Sequence, residues 1–374
     1  MNEGKATRYH RLRRRGTLTS LGVSVLLFAA MLLTGASAAL RDLVARPDGD
    51  VALSGVAVYT ACLILCHELV ILPVRLWIAR VERRYRPATS SPASPIDYLK
   101  ASGGLLAAGP LGATVLYAVI ESWPTRWWLV MGAVFTLTVV GVVKAVPAVM
   151  SRLSTLTPLA RPELRDRLKR LAARAGAPDV EVQALDPRGL GKPANAAVVG
   201  VGENRRVLLS EALVAGYSDD EIEVVIAHEL GHHLHGDIWK GLASDVATIL
   251  VGCFAASHAL LVLGPSVGLS GSNDPAGLPL VLLAGGAGVL VMAPLGNLLS
   301  RHHERRADRF ALELTRNPEA FISAMRRLGE EHLAERPSRW LAWLSYAHPP
   351  VHERIAAAGM LAEVWSRAVR AEPR

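Results

Sequence analysis

The sequence predicts a mainly α, multi-pass membrane protein whose cytosolic region carries a small β-sheet. Three observations lead there. Hydrophobic residues make up 51% of the 374-residue chain, and they gather into runs of about twenty residues, the length a helix needs to cross a bilayer. Arginines flank those runs on alternate sides, as a topology signal does. Between the fourth and fifth runs lies a polar stretch with one helix-period segment and several strand-like ones.

The apolar runs are residues 18–40, 51–74, 101–121, 127–149, 242–264 and 278–299. Arg11, Arg13, Arg14 and Arg15 precede the first, which ends near Ala36-Ser37-Ala38, a tripeptide resembling a signal-peptidase site. Because more spans follow, this run reads as a retained helix rather than a cleaved leader. The basic arm at the N-terminus and the connection at 75–100, with Arg75, Arg80, Arg83, Arg84 and Arg86, belong on the cytosolic side. Alternation then puts residues 150–241 and the C-terminal tail there as well, with a plasma or inner membrane as the expected location. The net charge of +8 comes from these flanking arginines, so the expected partner is the lipid bilayer and not nucleic acid.

Cys62, Cys66 and Cys253 all fall in apolar stretches, which excludes a disulfide-stapled secreted scaffold and a thiolate metal site near His228. They read as small buried residues of membrane helices. The expected organisation is a membrane domain over 1–150 with about four transmembrane helices and a cytosolic region over 151–241. A transmembrane hairpin over 242–299 and a further helix with the C-terminal region over 300–374 follow.

Within the polar stretch, residues 161–176 form an amphipathic helix, with Leu164, Leu168 and Leu171 on one face and Gly176 as its stop. Three strand-like runs follow, from Val180 to Leu185, Asn195 to Val199 and Arg206 to Leu209. Gly189, Gly191 and Pro193 break the first gap; Gly200, Gly202 and Asn204 form the second turn. Such a sheet offers an edge to which an extended peptide can add, the alternative being a purely structural hairpin. Asp219, Asp220 and Glu221 then lead into apolar residues, as at a helix N-terminus.

Inside that helix lies His228-Glu229-Leu230-Gly231-His232. Two histidines four apart share one helix face, so both imidazoles can reach one Zn²⁺, and Glu229 lies within reach of a water there as general base. Two crossings later the chain returns to the same side at Ser300-Arg301-His302-His303-Glu304-Arg305-Arg306-Ala307-Asp308. Glu304 and Asp308 also share a helix face. One carboxylate can bind the metal while the other orients a ligand histidine through its free N–H. The bland alternative is a charged membrane-exit segment. His67-Glu68 lacks a second histidine four residues on and is no zinc site; it is a buried pair beside an internal cavity or an interfacial one. Trp340, Trp343 and Tyr346 suit a membrane interface or core packing.

These residues resemble the type I CAAX prenyl proteases and their relatives, the HtpX-type membrane stress proteases. The likeness is carried by Asn195-Ala196 through Gly200 with Arg206 to Ser210, by His228 to His232, by Glu304 to Asp308, and by His348-Pro349-Pro350 with Glu353-Arg354-Ile355. Leu72-Pro73, the basic stretch to Tyr85 and Asp97-Tyr98-Leu99-Lys100 are similar to the prenyl-protease membrane domain, although six spans are one fewer than that family's seven. The resemblance implies a zincin-type catalytic region holding one Zn²⁺ per chain on His228, His232 and Glu304, with Glu229 as base and proton shuttle. It implies that Asp308 supports the ligand set from behind, that Asn195 and His348 contact the substrate or its tetrahedral intermediate, and that Arg354 lies near the peptide's C-terminus. His233, His235, His302 and His303 are bystanders on this reading. The activity it implies is a membrane-integrated zinc metalloendopeptidase acting on peptides or membrane-anchored proteins. A quality-control protease of membrane proteins and a non-catalytic scaffold with a structural metal are the alternatives.

Overall fold

A computed structural model describes residues 5–45, 51–85, 95–153, 155–178, 180–186, 195–200, 205–331 and 337–371. Arg86 and the turn residues Gly189, Gly191, Pro193, Gly202 and Asn204 lie outside them. The chain is mostly helical. In order come α1 (Lys5–Leu33), α2 (Ala36–Asp42), α3 (Leu53–Tyr85), α4 (Pro95–Ser122) and α5 (Trp127–Leu153), then β1 (Thr155–Pro158), α6 (Pro162–Arg174), β2 (Val180–Asp186), β3 (Ala196–Val199) and β4 (Arg205–Ser210). There follow α7 (Glu211–Gly216), α8 (Asp219–Leu234), α9 (Asp237–Leu263), α10 (Leu278–Thr315), α11 (Pro318–Glu331), α12 (Arg339–Ser345) and α13 (Val351–Ala371). Among the described residues six helices are long and apolar enough to cross a membrane: α1, α3, α4, α5, α9 and α10.

Several boundaries differ from the sequence expectation: α3 runs on to Tyr85 and α4 starts at Pro95, inside the expected connection at 75–100, and α9 starts at Asp237. The first helix stops at Leu33, and Ala36-Ser37-Ala38 opens the separate helix α2. The sixth span and the segment after residue 299 are one 38-residue helix. The charges at 301–308 fit a continued helix because they can be paired and buried on one side; they do not require a break.

The chain divides into two compact units. One comprises Met1–Arg86, Pro92–Val139 and Asp245–Ala293. Its core packs Val56, Tyr59 and Leu63 of α3 against Tyr117 and Ile120 of α4, Trp127 of α5 and Leu260 of α9. A buried polar knot sits at one end of it. Tyr59 donates to the Ser37 hydroxyl (2.7 Å), which donates to the carbonyl of Ala276 (2.6 Å). Asp274, nearly inaccessible, accepts from Arg41 (2.5 Å), from the Ser270 amide and hydroxyl (3.0 and 2.8 Å) and from the Ala276 amide (2.9 Å). Both oxygens of that carboxylate are thus engaged, Oδ2 by three donors and Oδ1 by one, which offsets the cost of burying its charge.

His67 and Glu68 also belong to this unit. His67 lines a cavity of about 690 Å³ and meets the Ser24 hydroxyl at 2.8 Å. Glu68 turns to Arg75 and to the Ser102 hydroxyl (2.6 Å), tying α3 to α4. The cysteines are free, and Cys66 is exposed on its helix rather than buried as expected. An outward-facing thiol there is matched to hydrocarbon, since Cys behaves as a small apolar side chain.

The other unit comprises Pro87–Ser91, Val140–Ser244 and Pro294–Arg374. Its sheet has the order β1-β2-β4-β3, with β2 and β4 parallel and the outer pairs antiparallel. β1 was not anticipated from the sequence. The helix α6 buries Leu164, Leu168 and Leu171 completely, and Gly176 (φ +83°) turns the chain out of it. Together with Val207 and Leu209 of β4 these leucines cover Ile222, Ile226 and Leu230 of α8. Each such side chain contributes about 1.5–3 kcal/mol on burial, so α8 is held along its length by apolar contact. Trp340 and Trp343 meet edge to face at 5.7 Å and are exposed.

Asp274→Ala should strip Arg41, Ser270 and Ala276 of their shared acceptor and cost about 3–5 kcal/mol. Thermal unfolding in detergent checks this, with Asp42→Ala, whose carboxylate is exposed, expected to leave the melting temperature unchanged.

Candidate metal centre

The site is built on α8, and α8 is fixed at its start. Ser218 and Glu221 form a capping box: the Ser218 hydroxyl accepts from the Glu221 amide (3.3 Å) and the Glu221 carboxylate from the Ser218 amide (2.8 Å). Glu221 also accepts from Ser323 of α11 (2.6 Å), and Glu223 pairs with Arg167 and Arg174 of α6. The helix therefore enters the site with both its rotation and its height set by neighbours.

Gly231 sets the next distance. A Cβ at this position would lie 3.2 Å from the Cα of Ala307, itself fully buried on α10. The two helices approach backbone to backbone there, between His228 and His232 on one side and Glu304 and Asp308 on the other. Glutamate, a side chain of moderate length, can then reach both imidazoles.

The candidate ligand atoms lie close together. His228 Nε2 and His232 Nε2 are 3.1 Å apart, and Glu304 meets each imidazole with a different oxygen, Oε2 at 3.6 Å from His228 Nε2 and Oε1 at 3.4 Å from His232 Nε2. A tetrahedral divalent ion with bonds of about 2.0–2.1 Å separates its ligands by about 3.3–3.4 Å, close to these separations. Among the described residues these three side chains are the one group of histidine, cysteine or carboxylate ligands gathered closely enough to hold a metal.

Electrostatics favour the same occupant. His228 Nδ1 donates to Asp308 (3.0 Å), and His232 Nδ1 donates to Asp237 (2.9 Å). With both Nδ1–H groups committed, both Nε2 atoms turn lone pairs towards each other at 3.1 Å. That arrangement is repulsive unless a proton or a cation lies between them. Burial opposes charge on His232, but its bonds to Glu304 and Asp237 prevail and pull its pKa up to about 9. Glu229, Asp237, Glu304 and Asp308 outnumber Arg306, Arg354 and Lys240, so the surroundings favour a cation. Burial also pushes the Glu229 carboxyl above the usual carboxylate range, although His228 and His232 pull it back.

The other residues expected from the sequence lie as follows. Glu229 is half-buried on the ligand helix. His348 is exposed at the rim and donates from Nδ1 to Glu304 Oε1 (2.9 Å), a bond that raises its pKa. Arg354 is mostly buried; its Nε donates to Asp308 Oδ2 (2.8 Å) and a terminal nitrogen lies 3.7 Å from Glu304. Its other face lines a cavity of about 420 Å³ with Arg305, Arg309, Pro349 and Met360. Asn195 is exposed at the start of β3, held by exchange with Ser210: its amide donates to the Ser210 hydroxyl and its carbonyl accepts from the Ser210 amide, both at 2.9 Å. β3 itself packs against α8.

Two further residues of the site do not stand out in the sequence: Asp237, whose carboxylate bonds His232, and Arg306, which bonds Asp237. The spacing was visible: an aspartate five residues after the second histidine, at the threshold of an apolar run. His303, expected to be a bystander, is buried 3.8 Å from Asp237. His235 donates to the Gly231 carbonyl (2.6 Å), and burial with nearby Arg205 keeps the His233 imidazole below its ordinary pKa.

The sequence profile described as peptidase family M48 matches residues 158–362. An uncharacterised metalloprotease of Bacillus subtilis, YhfN, is 28% identical over 250 residues, which cover 64% of this chain and 58% of that protein. A CAAX prenyl protease 1 homologue of Oryza sativa is 30% identical over 68% of this chain and 60% of its own length. A protease HtpX homologue of Leuconostoc citreum is 29% identical over 68% of this chain and 92% of its own length. The chain thus spans rather under two thirds of the first two relatives. In fold it is similar to Ste24p of S. mikatae, with a TM-score of 0.75 at 19% identity over 95% of this chain and 88% of that one. The profile covers more than half of the sequence and includes both histidines, the glutamate between them and the carboxylate on α10, so the chain belongs to peptidase family M48.

Proposed function

We propose that the chain is an integral membrane zinc metalloendopeptidase, with one Zn²⁺ held by His228, His232 and Glu304. The observation that carries this is the cluster of three candidate ligands with Glu229 beside it, three protein donors and a base, the set that leaves a coordination position for water. When bound, zinc supplies Lewis-acid activation of a water and of the scissile carbonyl. The chain's own groups do the rest. Glu229, whose carboxyl is raised towards neutrality by burial, takes the proton from the attacking water and hands it to the leaving amine. His348, charged more readily than an ordinary histidine, faces the developing oxyanion from the rim. Asp308 holds His228, and Arg354 holds Asp308 while turning its other face to the pocket that takes the peptide's C-terminal part.

The substrate peptide lies extended. β3 is an outer strand of the sheet and packs on the ligand helix, so a peptide added to its free edge, with Asn195 at the entrance, runs alongside the metal. The arginine distribution puts this region, residues 151–241 and 300–374, on the cytosolic side.

Two substrate classes have support. The fold match to Ste24p extends over nearly the whole chain, and one relative is a CAAX prenyl protease homologue; both favour prenylated C-terminal peptides. The HtpX homologue is matched over most of its own length, which favours damaged membrane proteins. Incubating purified protein with a farnesylated C-terminal peptide and with casein separates them: the first reading expects cleavage of the peptide alone. Backbone N-methylation of a cleaved peptide should weaken its binding, and unchanged KM would remove the strand-addition geometry.

Glu229→Gln should keep one zinc per chain and lower kcat/KM by at least about 100-fold. His348→Ala should lower kcat by about 100-fold with zinc retained. Hydrolysis by the Glu229→Gln protein at the wild-type rate would remove Glu229 as the base, and zinc content without any hydrolysis in wild type would favour the scaffold.

Zinc uptake should also release protons in a defined window. His232 is raised from 6.5 to about 9 in the metal-free protein, so at pH 7.5 it carries a proton that a ligand imidazole must shed. Calorimetric titration in buffers of different ionisation enthalpy should find about one proton released at pH 7.5 from this group, falling away as pH rises past 9. The metal-free protein loses the corresponding stability over the same rise, since the contribution is complete below 6.5 and gone above the folded pKa.

A further inference from the structure

We infer that Asp237 is a positioning residue of the metal centre, one that sets zinc affinity through His232; the inference rests on the zinc reading proposed above. Asp237 is the first residue of α9, immediately after the turn that ends the ligand helix. Its side chain is almost wholly buried, and each oxygen has a separate task. Oδ2 accepts from His232 Nδ1 at 2.9 Å. Oδ1 accepts from Arg306 of α10, with Lys240 at 3.7 Å and His303 at 3.8 Å.

The geometry repeats what Asp308 does for the other ligand. His228 Nδ1 donates to Asp308, and Arg354 donates to both oxygens of Asp308. Each ligand imidazole is therefore backed by a buried aspartate, and each aspartate by an arginine. The carboxylate fixes the tautomer with the proton on Nδ1, stops rotation of the ring and raises the basicity of Nε2. The arginine keeps the aspartate ionised in a buried place. Arg306 adds a second effect: it stands two residues from Glu304 on the same helix. The bond from Arg306 to Asp237 thus holds the second histidine and the third ligand in register before any ion arrives.

A purely structural role is the competing account, since an acidic residue in the first turn suits a helix N-terminus. It makes a different prediction. Asparagine serves a helix start about as well as aspartate but brings no charge to His232 or Arg306. Zinc dissociation constants should be measured by chelator competition on the full-length wild-type protein and on Asp237→Asn, Asp237→Ala and Arg306→Gln in detergent. The d–d spectrum of each cobalt(II)-loaded form is recorded beside it. The expected result is zinc affinity lowered about 10-fold in Asp237→Asn and nearer 100-fold in Asp237→Ala, with a perturbed cobalt spectrum and a metal-free melting temperature in Asp237→Asn close to wild type. If Asp237→Ala does not fold, Asp237→Asn and Arg306→Gln carry the test. Affinity within twofold of wild type in the folded variants would overturn the inference. Failure of the wild-type protein itself to take up zinc would instead overturn the metal reading on which it rests.

Discussion

The site depends on how closely two helices cross. Gly231 brings the backbone of α8 against Ala307 of α10, and the residues flanking them, His228 and His232 on one helix and Glu304 and Asp308 on the other, are the ones with chemistry. A methyl group at 231 would press on the Ala307 backbone and on the Phe310 ring, each 3.2 Å away. The helices would have to part by a few tenths of an ångström, and Glu304 would lose its even reach to the two imidazoles. Packing density inside proteins makes such a shift a shared one, felt along both helices.

Around that crossing the protein keeps a concentration of buried charge that would be costly if any member stood alone. Asp237, Glu304 and Asp308 face His228, His232, Arg306 and Arg354, and each carboxylate oxygen that the network uses has a donor. Scaffold elements well away from the metal share in this. The capping box at Ser218 and the pairing of Glu223 with two arginines of α6 fix the far end of α8, so its histidines do not have to define their own helix.

The candidate ligands were legible because helix period acts on sequence directly. Histidines at 228 and 232 and carboxylates at 304 and 308 are one turn apart, and a spacing of four is visible without coordinates. The six apolar helices were legible for a similar reason, since length and hydropathy suffice. What escaped has physical reasons as well. β1 is four residues ending in a proline, too short and too unlike a strand to carry a pattern. The continuation of α10 past residue 299 was hidden by its charges: Arg305, Arg306 and Asp308 have their partners Glu353, Asp237 and Arg354 elsewhere in the chain. Asp237 looked like the polar edge of an apolar run: its spacing of five from His232 is not a helix period, and its other partner, Arg306, lies 69 residues on.

One last feature is the unbroken length of α10. The helix runs 38 residues with Pro294 inside it, so the stretch that enters the bilayer and the carboxylate at Glu304 ride on a single rod. Inserting or deleting one residue between Leu299 and Glu304 would swing that carboxylate about 100° around the axis and displace it about 1.5 Å along it, out of the plane of both rings. The outer turn of the hairpin carries no such constraint, so the length of the helix just before Glu304 is what the candidate site cannot give up.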